Sequence, residues 1–547
     1  MRDRRGCSAI DTSGGVGFSW GASVTNTGHR WIWPLIVLAA ITLMLLSRVC
    51  GPGDLPDQSQ PRTVSYTVDV VENGRWILPR ETGDLPATKP PGYNWLAAPF
   101  VAVLGIDSEL AHKLPSIIAF LVCTMLLVGS GNRLQPGMGW LAALMFTACY
   151  PIFKLAYLAR PDMMLCGALL VMWLGMSYLL IDDRRLTDTR RICVQGVTWL
   201  ACAAALLIKG PIAIAIALPF ALIAGKIFRG SLRGAFKSVA LIPGLVFALA
   251  IFAVWVMWAW MIDAEHVRGR MLSTELFGRI VGTGSEAQGN SLLSLLTGLG
   301  DMPGYFLVRF FPWSLFSVVA MFQLWQRRKR HPQDEGAEHP SRSRAWMISA
   351  SIWVIVTIAM TSLIAVKRAD YIAPAYGPAA LLAGWWWLSR NQCERDAQRR
   401  SRAYGPGVIA TCVLAVLVLS NQREWSSPYA GYGDSVERFT RQAKQTIKHD
   451  PTLPLIAWRV NGSYVPAFLG IMRKHNTDAM HHLFSNESGA FWLLTIHRPE
   501  QTKPLAEEHF VTANPPRPIE LFIAAGEADR ALPRQGEHRL YRVGPRD

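Results

Sequence analysis

Long apolar runs alternate with short polar segments from about residue 31 to about residue 420. A helix needs roughly 20 mostly apolar residues to cross a bilayer. By this measure the sequence predicts eleven membrane-spanning helices, at 31–49, 110–130, 136–155, 163–181, 192–208, 211–225, 238–262, 306–325, 345–365, 371–388 and 405–420. The two at 192–208 and 211–225 are short, and Lys209-Gly210-Pro211 divides them. The pattern therefore predicts a polytopic α-helical membrane protein.

Polar sequence precedes the apolar region and also interrupts it. Residues 1–30 run through Gly, Ser and Thr without an apolar core, which predicts a disordered cytoplasmic leader rather than a signal peptide. Two long loops are expected, at 50–109 and 263–305. Structureless loops longer than about 15 residues are usually functional or disordered. The first contains Trp, Tyr and Pro and a helix-like stretch at 62–73, so we expect it to be ordered and to lie on the membrane.

The last part of the chain, 421–547, reads as ordinary polar sequence and follows a membrane domain at 31–420. Its apolar positions predict one amphipathic helix and four strands, in this order: helix 435–449 and strands 455–460, 491–495, 519–523 and 539–543. Helices and strands mixed in this way indicate a small α/β domain. No motif in this domain identifies a function.

Composition supports the membrane assignment. Of the 547 residues, 51% are hydrophobic and 17% are charged, whereas soluble domains contain about 25% charged residues. A net charge of +16 would favour nucleic-acid binding in a soluble protein. Here most of the excess lies in short loops, without a basic stripe that contains aromatic residues, so we expect no nucleic-acid partner. The nine cysteines form no CxxC pair, so neither a zinc framework nor a disulfide framework is predicted.

The distribution of basic residues predicts the orientation of the chain. Cytoplasmic loops of membrane proteins carry an excess of Lys and Arg. If the N-terminus is cytoplasmic, the loops expected inside are rich in such residues, as in Arg184, Arg185, Arg190 and Arg191 and in Arg327, Arg328, Lys329 and Arg330. The short loops expected outside are poorer in them. An odd number of spans then predicts that the C-terminal domain is extracytoplasmic.

Lys89 stands directly before Pro90 and Pro91 in the first long loop. Proline fixes its own φ and pushes the preceding residue toward an extended conformation. Lys89 therefore has a stiff backbone, and its ammonium group has a preferred direction. A cation held in this way beside a membrane suits a phosphate group. The alternative is that the segment forms only the corner of a loop.

Several ionisable residues stand at the ends of predicted spans on the side expected to be outside. They are Arg160, Asp162, Lys209, Lys367 and Arg368, with Tyr371 close by. Charge at or inside a membrane boundary is costly and tends to mark a substrate path. The alternative for each Lys or Arg is that it extends to the lipid head groups. Asp162, at the start of a span, could equally serve to stabilise a helix N-terminus.

Together these residues resemble the polyprenyl-phosphate-sugar glycosyltransferases of the membrane-embedded GT-C fold. The most similar branch contains the aminoarabinose transferases of lipid A and the protein O-mannosyltransferases. The resemblance covers roughly 31–390. Its motif pieces, in chain order, are Asn73-Gly74-Arg75-Trp76 with Pro79, Lys89-Pro90-Pro91 with Tyr93 and Trp95, Asp162, Lys209-Gly210-Pro211, Pro312-Trp313, and Lys367 with Tyr371 and Pro374. Each piece alone is weak, and their order and spacing carry the resemblance.

The resemblance implies a transferase in the inner (plasma) membrane of a bacterium. Such an enzyme moves a sugar from a polyprenyl-phosphate donor to a cell-envelope acceptor, which is lipid A, a protein or a glycan. The residues implied to hold the donor phosphate are Lys89, Arg62, Lys209, Arg270 and Tyr371. Asp162 would line the acceptor side. A first-loop acid would take the acceptor proton as general base, and the configuration at the sugar carbon would invert.

The expected acid is missing at its aligned position. Counting back from Trp76 and Pro79, the family's Asp-Glu pair falls on Ser59-Gln60, and its Arg falls on Arg62. A shift of two residues would bring Asp57 into place, and Asp69 and Glu72 are alternatives on the following helix. We therefore take Asp57 and Asp162 as candidate catalytic acids. The acid used for a metal in some family members is Thr88 here, so no metal ligand is assigned and a divalent metal has little support.

Three functional interpretations follow from these residues. The first is an active transferase that uses Asp57 or Asp162 as its base. The second is a transferase whose acceptor needs less activation, such as a phosphate or carboxylate oxygen. The third is a non-enzymatic relative, such as a carrier of lipid-linked glycans or an assembly subunit. An unrelated transporter is a further alternative, but the sequence has no repeat between its halves, which such a fold would favour.

Overall fold

The computed structural model of the protein describes residues 32–56, 59–82, 84–182, 186–278, 298–330, 342–364, 367–395, 404–458, 460, 463–470, 474–475, 489–497, 518–524 and 537–545. The leader expected at 1–30 and the candidate acid Asp57 lie outside these residues. The described chain forms a helical membrane domain, followed by a smaller domain that combines helices with a β-sheet.

Seventeen helices of the membrane domain are described. They are α1 (Ile32–Val49), α2 (Gln60–Asn73), α3 (Gly92–Leu104), α4 (Glu109–Leu134), α5 (Met138–Thr147), α6 (Tyr150–Leu155), α7 (Asp162–Ile181), α8 (Asp188–Lys209), α9 (Ile212–Arg229), α10 (Leu232–Val239), α11 (Leu241–Ile262), α12 (Ala264–His266), α13 (Asp301–Arg309), α14 (Trp313–Arg330), α15 (Arg342–Ser362), α16 (Ala373–Arg395) and α17 (Tyr404–Trp425). A π-helical segment, Val267–Gly278, continues from α12, and Ala369–Ile372 forms a 3-10 turn before α16.

Six of the described helices are long and apolar enough to cross a membrane by themselves. They are α4, α7, α8, α9, α11 and α15. The pair α13 and α14 would make a seventh span, although the two helices are bent by 116° relative to each other. The chain therefore has a multi-pass membrane domain, and the count of eleven spans stays a prediction.

Two of the predicted spans are broken by proline. The span predicted at 136–155 is divided into α5 and α6, because Cys149 is extended and Pro151 occupies the first turn of α6. The span predicted at 306–325 is divided at Pro312 into α13 and α14. Proline lacks an N–H group and disfavours a helical conformation in the residue before it. The apolar pattern is continuous at both places, so hydropathy alone does not reveal these breaks.

α7 lies at the centre of the membrane domain, and α11 lies at its edge. About 67% of the apolar window of α7 is buried, compared with 17% for α11. Small residues let helices approach α7 closely: a Cβ atom added to Gly175 would lie 2.0 Å from Oγ1 of Thr198 on α8. The indole of Trp173 donates a hydrogen bond to Ser349 Oγ on α15, at 3.2 Å. This packing fixes α7 against α8 and α15.

The first long loop is ordered, as expected, and contains three elements. The helix predicted at 62–73 is confirmed as α2, and it is followed by a hairpin of β1 (Arg80–Glu81) and β2 (Leu85–Pro86) and then by α3. α2 buries Val64 and Val68 in a cluster with Val436 and Phe439, which belong to the C-terminal domain. The loop is therefore held between the membrane helices and that domain.

The C-terminal domain contains α18 (Pro428–His449), α19 (Val465–Phe468), β3 (Leu455–Trp458), β4 (Lys474–His475), β5 (Phe491–His497), β6 (Ile519–Ala524) and β7 (Glu537–Val543). The five strands form one sheet in the order β4-β3-β5-β7-β6. β3 runs parallel to β4 and β5, whereas β7 runs antiparallel to β5 and β6. α18 covers the helix predicted at 435–449, and β3, β5, β6 and β7 overlap the four predicted strands. The preceding helix α17 extends to Trp425, beyond the boundary placed at 420.

Two hydrogen bonds tie the C-terminal domain to the first loop. The main-chain N–H of Gly53 donates to Asp434 Oδ1 at 2.9 Å. The hydroxyl group of Thr82, next to β1, donates to the carbonyl oxygen of Ser463 at 3.1 Å. The loop and the C-terminal domain therefore lie on the same face of the membrane domain.

Candidate functional site

Lys89 is held against the end of α8. The main-chain N–H of Ala87 donates to the carbonyl oxygen of Pro79 at 2.7 Å, which fixes the segment before it. After the two prolines, α3 starts at Gly92, where an added Cβ atom would lie 2.6 Å from the carbonyl oxygen of Leu207. Only glycine allows this approach. The segment that contains Lys89 therefore packs against the last turn of α8, which ends at Lys209.

The aromatic and amide residues after Lys89 anchor this segment. The Tyr93 hydroxyl group donates to the carbonyl oxygen of His112 at 2.7 Å. The Asn94 amide donates to Thr67 Oγ1 on α2 at 2.8 Å. The Trp95 indole donates to the carbonyl oxygen of Trp76 at 2.6 Å. Two motif pieces identified in the sequence, around Trp76 and around Lys89, are thus bonded directly to each other.

Lys209, Asp162 and Tyr371 come together at one place. α8 ends at Lys209, because Gly210 has a positive φ of 82° and Pro211 precedes α9. The Lys209 ammonium group forms an ion pair with Asp162 Oδ1. It also lies 4.8 Å from the centre of the Tyr371 ring, within the range of a cation–π contact. Lys89 is close enough to act electrostatically on Asp162.

Asp162 is paired on its other side as well. Its Oδ2 atom lies 3.0 Å from Nη2 of Arg160, and only 3% of its side chain is exposed. Arg160 also reaches Asp370, with 3.3 Å between Nη1 and Oδ2. A cation therefore lies against each oxygen of Asp162. This geometry suits a residue that positions Lys209 and Arg160 better than one that takes up a proton.

Arg62 and Arg270 surround a buried tyrosine near the Lys89 segment. The Nε atom of Arg62 lies 3.3 Å from Glu81 Oε2, and 53% of the Arg62 side chain is exposed. Tyr66 is buried beside Glu81 and lies against the main chain of Thr88. Burial raises the pKa of Tyr66, the Glu81 carboxylate raises it further, and Arg62 and Arg270 oppose that shift. The phenol therefore stays neutral while both arginines lie within electrostatic range of it.

The chain is similar in sequence to known membrane glycosyltransferases. The family model for dolichyl-phosphate-mannose-protein mannosyltransferases matches residues 88–258. An undecaprenyl phosphate-alpha-4-amino-4-deoxy-L-arabinose arabinosyl transferase of Pseudomonas fluorescens is 24% identical over 380 residues, which are 65% of this chain and 59% of that protein. A transferase of that kind from Pseudomonas aeruginosa is 23% identical over 423 residues, 73% of this chain and 68% of that protein. The chain thus matches less than two thirds of the length of the first relative.

Solved structures share the architecture over nearly the whole chain. ArnT from Cupriavidus metallidurans bound to undecaprenyl phosphate has a TM-score of 0.65 at 16% identity, covering 95% of this chain and 100% of that chain. The archaeal oligosaccharyltransferase AglB from Archaeoglobus fulgidus has a TM-score of 0.50 at 10% identity, covering 86% and 70%. This chain has the GT-C glycosyltransferase fold. At these identities the structural likeness shows the fold alone.

Within this GT-C fold, Gln60 has a structural role at the place where an acid was expected. It is fully buried. Its amide nitrogen donates to the carbonyl oxygen of Asp54 at 2.8 Å, and its amide oxygen accepts from the main-chain N–H of Ala159, also at 2.8 Å. Gln60 thus joins the first loop to the segment before α7, and no proton transfer can be assigned to it.

Asp69, an alternative acid on α2, is also committed to structure. Its carboxylate accepts hydrogen bonds from the Asn73 amide at 2.7 Å and from the main-chain N–H of Arg80 at 2.8 Å, and it pairs with Arg75 at 3.3 Å. Burial raises the pKa of Asp69, and these donors and cations oppose that shift. Asp69 therefore shapes the Asn73-Gly74-Arg75-Trp76 motif.

The residues around Thr88 do not form a metal-ligand set. Within the described ranges, no three His, Cys, Asp or Glu side chains lie close enough together to hold a metal ion. The His266 Nε2 atom lies 3.1 Å from the carbonyl oxygen of Ala87 and is engaged there. No step of the mechanism is therefore derived through a metal.

Sequence reasoning missed three polar residues near the site. Glu81 lies in the hairpin of the first loop, and Asp370 and Arg309 extend the chain of charges beyond Arg160, with 3.6 Å between Nη1 of Arg309 and Oδ1 of Asp370. Asp370 stands directly before Tyr371, so its place beside a candidate residue was a signal in the sequence. Glu81 has no such signal, because a hairpin between distant motif pieces brings it to the site.

Proposed function

We propose that the chain is an integral-membrane glycosyltransferase. It moves a sugar from a polyprenyl-phosphate donor to a cell-envelope acceptor, which is lipid A, a protein or another glycan. The observation that carries this proposal is the meeting of Lys89, Lys209, Tyr371 and Asp162, which are far apart in sequence, at one end of a GT-C membrane domain. The arabinosyl transferases named among its relatives favour an undecaprenyl-phosphate-linked aminoarabinose as the first donor to test.

The site is proposed to face the extracytoplasmic side. The excess of basic residues in alternate loops supports a cytoplasmic N-terminus and an odd number of spans, for which eleven remains our proposal. The first loop lies on the same face as the C-terminal domain and is bonded to it through Thr82 and Gly53. The donor, the acceptor and the soluble domain then meet on one side of the bilayer.

Lys89 and Lys209 are proposed to hold the donor phosphate, with Arg62 and Arg270 approaching it from the first loop and from the π-helical segment. Cations aimed at a phosphate stabilise the charge that develops on it as the bond to the sugar breaks. Tyr371 keeps Lys209 in place from one side, and Asp162 does so from the other. The Lys89 backbone is fixed before the substrate arrives, so little ordering is needed on binding.

Transfer with inversion requires a group that accepts a proton. The acceptor oxygen attacks the sugar carbon, the bond from that carbon to the donor phosphate breaks, and the acceptor proton passes to a carboxylate. Asp57 and Asp162 remain our candidates from the sequence. Glu81 joins them, because its carboxylate lies 3.3 Å from Arg62, which is proposed to contact the donor phosphate.

One observation favours a second function. Gln60 occupies the position aligned with a family acid and is engaged in two main-chain hydrogen bonds. A relative that binds and carries a lipid-linked glycan without transferring the sugar would need the phosphate site and no base. Separate Asp57→Asn and Glu81→Gln variants distinguish these functions. A carrier would bind donor lipid in the wild type and in both variants without turnover in any of them, whereas a transferase would show turnover in the wild type and lose it in the variant that lacks the base.

The proposal is tested by measuring transfer of a labelled sugar from undecaprenyl phosphate by the full-length protein in lipid nanodiscs. Lys89→Ala is expected to abolish transfer, and Lys89→Arg should retain part of it. Arg390→Gln, which removes an exposed arginine at the far end of α16, is the matched control and should behave as the wild type. All variants should elute as folded monodisperse protein. Wild-type transfer by Lys89→Ala would overturn the role of Lys89.

A further inference from the structure

A second cluster of cations lies beyond Asp162, around a cavity of about 430 Å³. Its basic lining residues are Lys154, Arg160, Arg309, Arg368 and Arg423, and Asp370 is the acidic one. They come from α6, the segment before α7, α13, the segment before α16, and α17. Neither Lys89 nor Lys209 lines this cavity. It is therefore distinct from the proposed donor-phosphate position.

Asp162 and Arg160 form the partition between the two positions. Asp162 bonds to Lys209 through one oxygen and to Arg160 through the other. Arg160 is almost completely buried, with 5% of its side chain exposed, and its second terminal nitrogen, Nη1, lies 3.3 Å from Asp370 on the cavity side. The Asp162 carboxylate thus lies between the cations Lys209 and Arg160. One anion could bind near each cation, and the cations would reduce the repulsion between the two anions.

The cations of the cavity are only partly neutralised. Arg309 lies 3.6 Å from Asp370, and Lys154 lies 3.8 Å from Glu424, both longer than the 3.0 Å contact between Arg160 and Asp162. Asp370 is shared between two arginines. Lys154, Arg160 and Arg309 thus each have an acidic partner, whereas Arg368 and Arg423 form no ion pair with a carboxylate of the described residues. A surplus of this kind is costly unless an anion is bound, and it raises the local anion concentration.

The composition of the cluster indicates which anion would bind. Four of the five cations are arginines, and the planar guanidinium group matches the oxygens of phosphate in a two-pronged contact. Arg423 lies 4.8 Å from the centre of the Tyr150 ring, which orients its side chain. The cavity volume falls within the usual range of small-molecule sites.

We infer that this cavity, on the Arg160 side of Asp162, binds a phosphate ester as a second anion site separate from the donor phosphate. The ester comes either from a lipid head group or from a soluble phosphate. In the proposed transferase it lies where a phosphorylated second substrate would approach. The binding itself does not depend on sugar transfer.

The test is calorimetric titration of the full-length protein in detergent, without any sugar donor. Inorganic phosphate is the first probe. The double variant Arg368→Gln/Arg423→Gln removes two cavity cations and leaves both ion pairs of Arg160 intact. It is expected to bind phosphate ~10-fold more weakly or worse, as loss of charged hydrogen bonds predicts. The double variant with Lys at both positions keeps the charge and loses the two-pronged contact, so its affinity should lie between those of the wild type and the double Gln variant. Elution of both double variants as folded monodisperse protein excludes misfolding as the cause.

Two single variants separate this site from the donor site and from general surface charge. Lys89→Ala should retain phosphate binding at the cavity, and Arg390→Gln should bind as the wild type does. If the double Gln variant binds phosphate as Arg390→Gln does, or if Lys89→Ala removes all binding, the inference is wrong. Equal binding of succinate would overturn the preference for phosphate over carboxylate.

Dioctanoyl phosphatidic acid is the second probe and assigns the source of the ester. Binding tighter than that of inorganic phosphate, with the same dependence on Arg368 and Arg423, identifies a lipid head group. Weaker binding than inorganic phosphate identifies a soluble ester. Since no sugar is transferred in these titrations, their failure leaves the proposed transferase intact, and a failure of the transfer assay leaves this site intact.

Discussion

Two networks of charged residues lie on the same face of the membrane domain, and they differ in balance. Around Lys113, the cations Lys113 and Arg48 are enclosed by Asp54, Glu109 and Glu424. Around Asp162, one buried carboxylate faces Lys209 and Arg160 directly and Lys89 at longer range. In the first network, which is closed, three carboxylates balance two cations, and Glu424 also reaches Lys154 at 3.8 Å, so no positive charge is in excess. Around Asp162 the cations outnumber the acids.

The closed network connects distant parts of the chain. Lys113 on α4 is fully buried between Asp54 and Glu109, and its ammonium group lies 4.1 Å from the centre of the Tyr157 ring. Arg48 on α1 joins Asp54 at 2.6 Å to Glu424 on α17 at 3.2 Å. Although burial raises the pKa of Asp54, Lys113 and Arg48 lower it more. These contacts hold α1, α4 and α17 together.

This difference separates charged residues that stabilise the membrane domain from charged residues that bind a ligand. Where acids and bases balance and are enclosed, no ligand is needed to complete the site, and the network stabilises the fold. Where cations exceed acids beside an accessible cavity, the excess positive charge favours binding of an anion.

Lys113→Met should have the largest effect, and the effect should be on folding. It would leave Asp54 and Glu109, whose side chains are 13% and 25% exposed, without their shared cation. Breaking a fully buried pair costs about 3–5 kcal/mol, so a loss at the lower end of that range is expected. Thermal unfolding in detergent should show a strong loss of stability or of yield. Lys226→Met, which removes an exposed lysine at the end of α9, is the control. Unchanged unfolding of Lys113→Met would refute the structural role of the closed network.

Asp162→Asn should act on function rather than on folding. The amide keeps the shape of the side chain but no longer holds Lys209 and Arg160 by charge, so both cations shift. A misplacement of this kind costs about 100-fold in turnover. Sugar transfer and binding of undecaprenyl phosphate are measured together. If Asp162 is a positioning residue, the affinity for the lipid falls as well, whereas a base would leave that affinity unchanged.

His538 in the C-terminal domain gives a pH-dependent contrast. Burial lowers the pKa of His538 to about 4, and its Nε2 atom lies 2.8 Å from Ser463 Oγ. The unfolded state, with a pKa near 6.5, binds the proton more readily, so stability is full above about pH 6.5 and falls as the pH drops toward 4.

At pH 5 the expected loss is about 2 kcal/mol. It is measured as the free energy of unfolding of the full chain against pH, with His538→Gln as the comparison. The variant should lose the part of this dependence that His538 contributes, so the two profiles should differ by about 2 kcal/mol more at pH 5 than at pH 7. Identical pH profiles for the two proteins would contradict the assignment to His538.

Arg62→Gln should have the smallest effect. More than half of its side chain is exposed, and its pair with Glu81 is 3.3 Å long. An exposed ion pair contributes only about 0–1 kcal/mol, so we expect a change of a few-fold at most in the Michaelis constant for the donor. A loss as large as that of Lys89→Ala would mean that Arg62 belongs to the central site.

The sequence was sufficient to predict the multi-pass membrane domain and the helix in the first loop, because hydropathy and periodicity report on burial directly. The helix and strands found after residue 427 overlap those that periodicity predicted there. The sequence did not predict the breaks at Pro151 and Pro312, which leave the apolar pattern intact. Lys209 and Tyr371 could be nominated from their places at the ends of apolar segments. Their contact with each other, and that of Lys209 with Asp162, depends on the packing of α7, α8 and α16.

The other charged residues of the two networks differ in how clearly the sequence indicates them. Arg48 and Lys113 lie in apolar segments. Because a charge inside such a segment is costly, its presence there indicates a residue that is paired or functional. Arg309 also lies in a predicted span, at 306–325, whereas Glu81 carries no such signal. They reach their partners through a hairpin and a bent helix pair, which follow from long-range packing.

The central claim is that the cations on the Lys89 side of Asp162 hold the donor phosphate. The most direct measurement is the equilibrium affinity of the full-length protein for undecaprenyl phosphate in nanodiscs, for the wild type, Lys89→Ala and Arg368→Gln/Arg423→Gln. Lys89→Ala is expected to lower the affinity for undecaprenyl phosphate at least ~10-fold, and the double variant is expected to keep the wild-type affinity. Wild-type affinity for Lys89→Ala, with a loss in the double variant, would contradict the central claim.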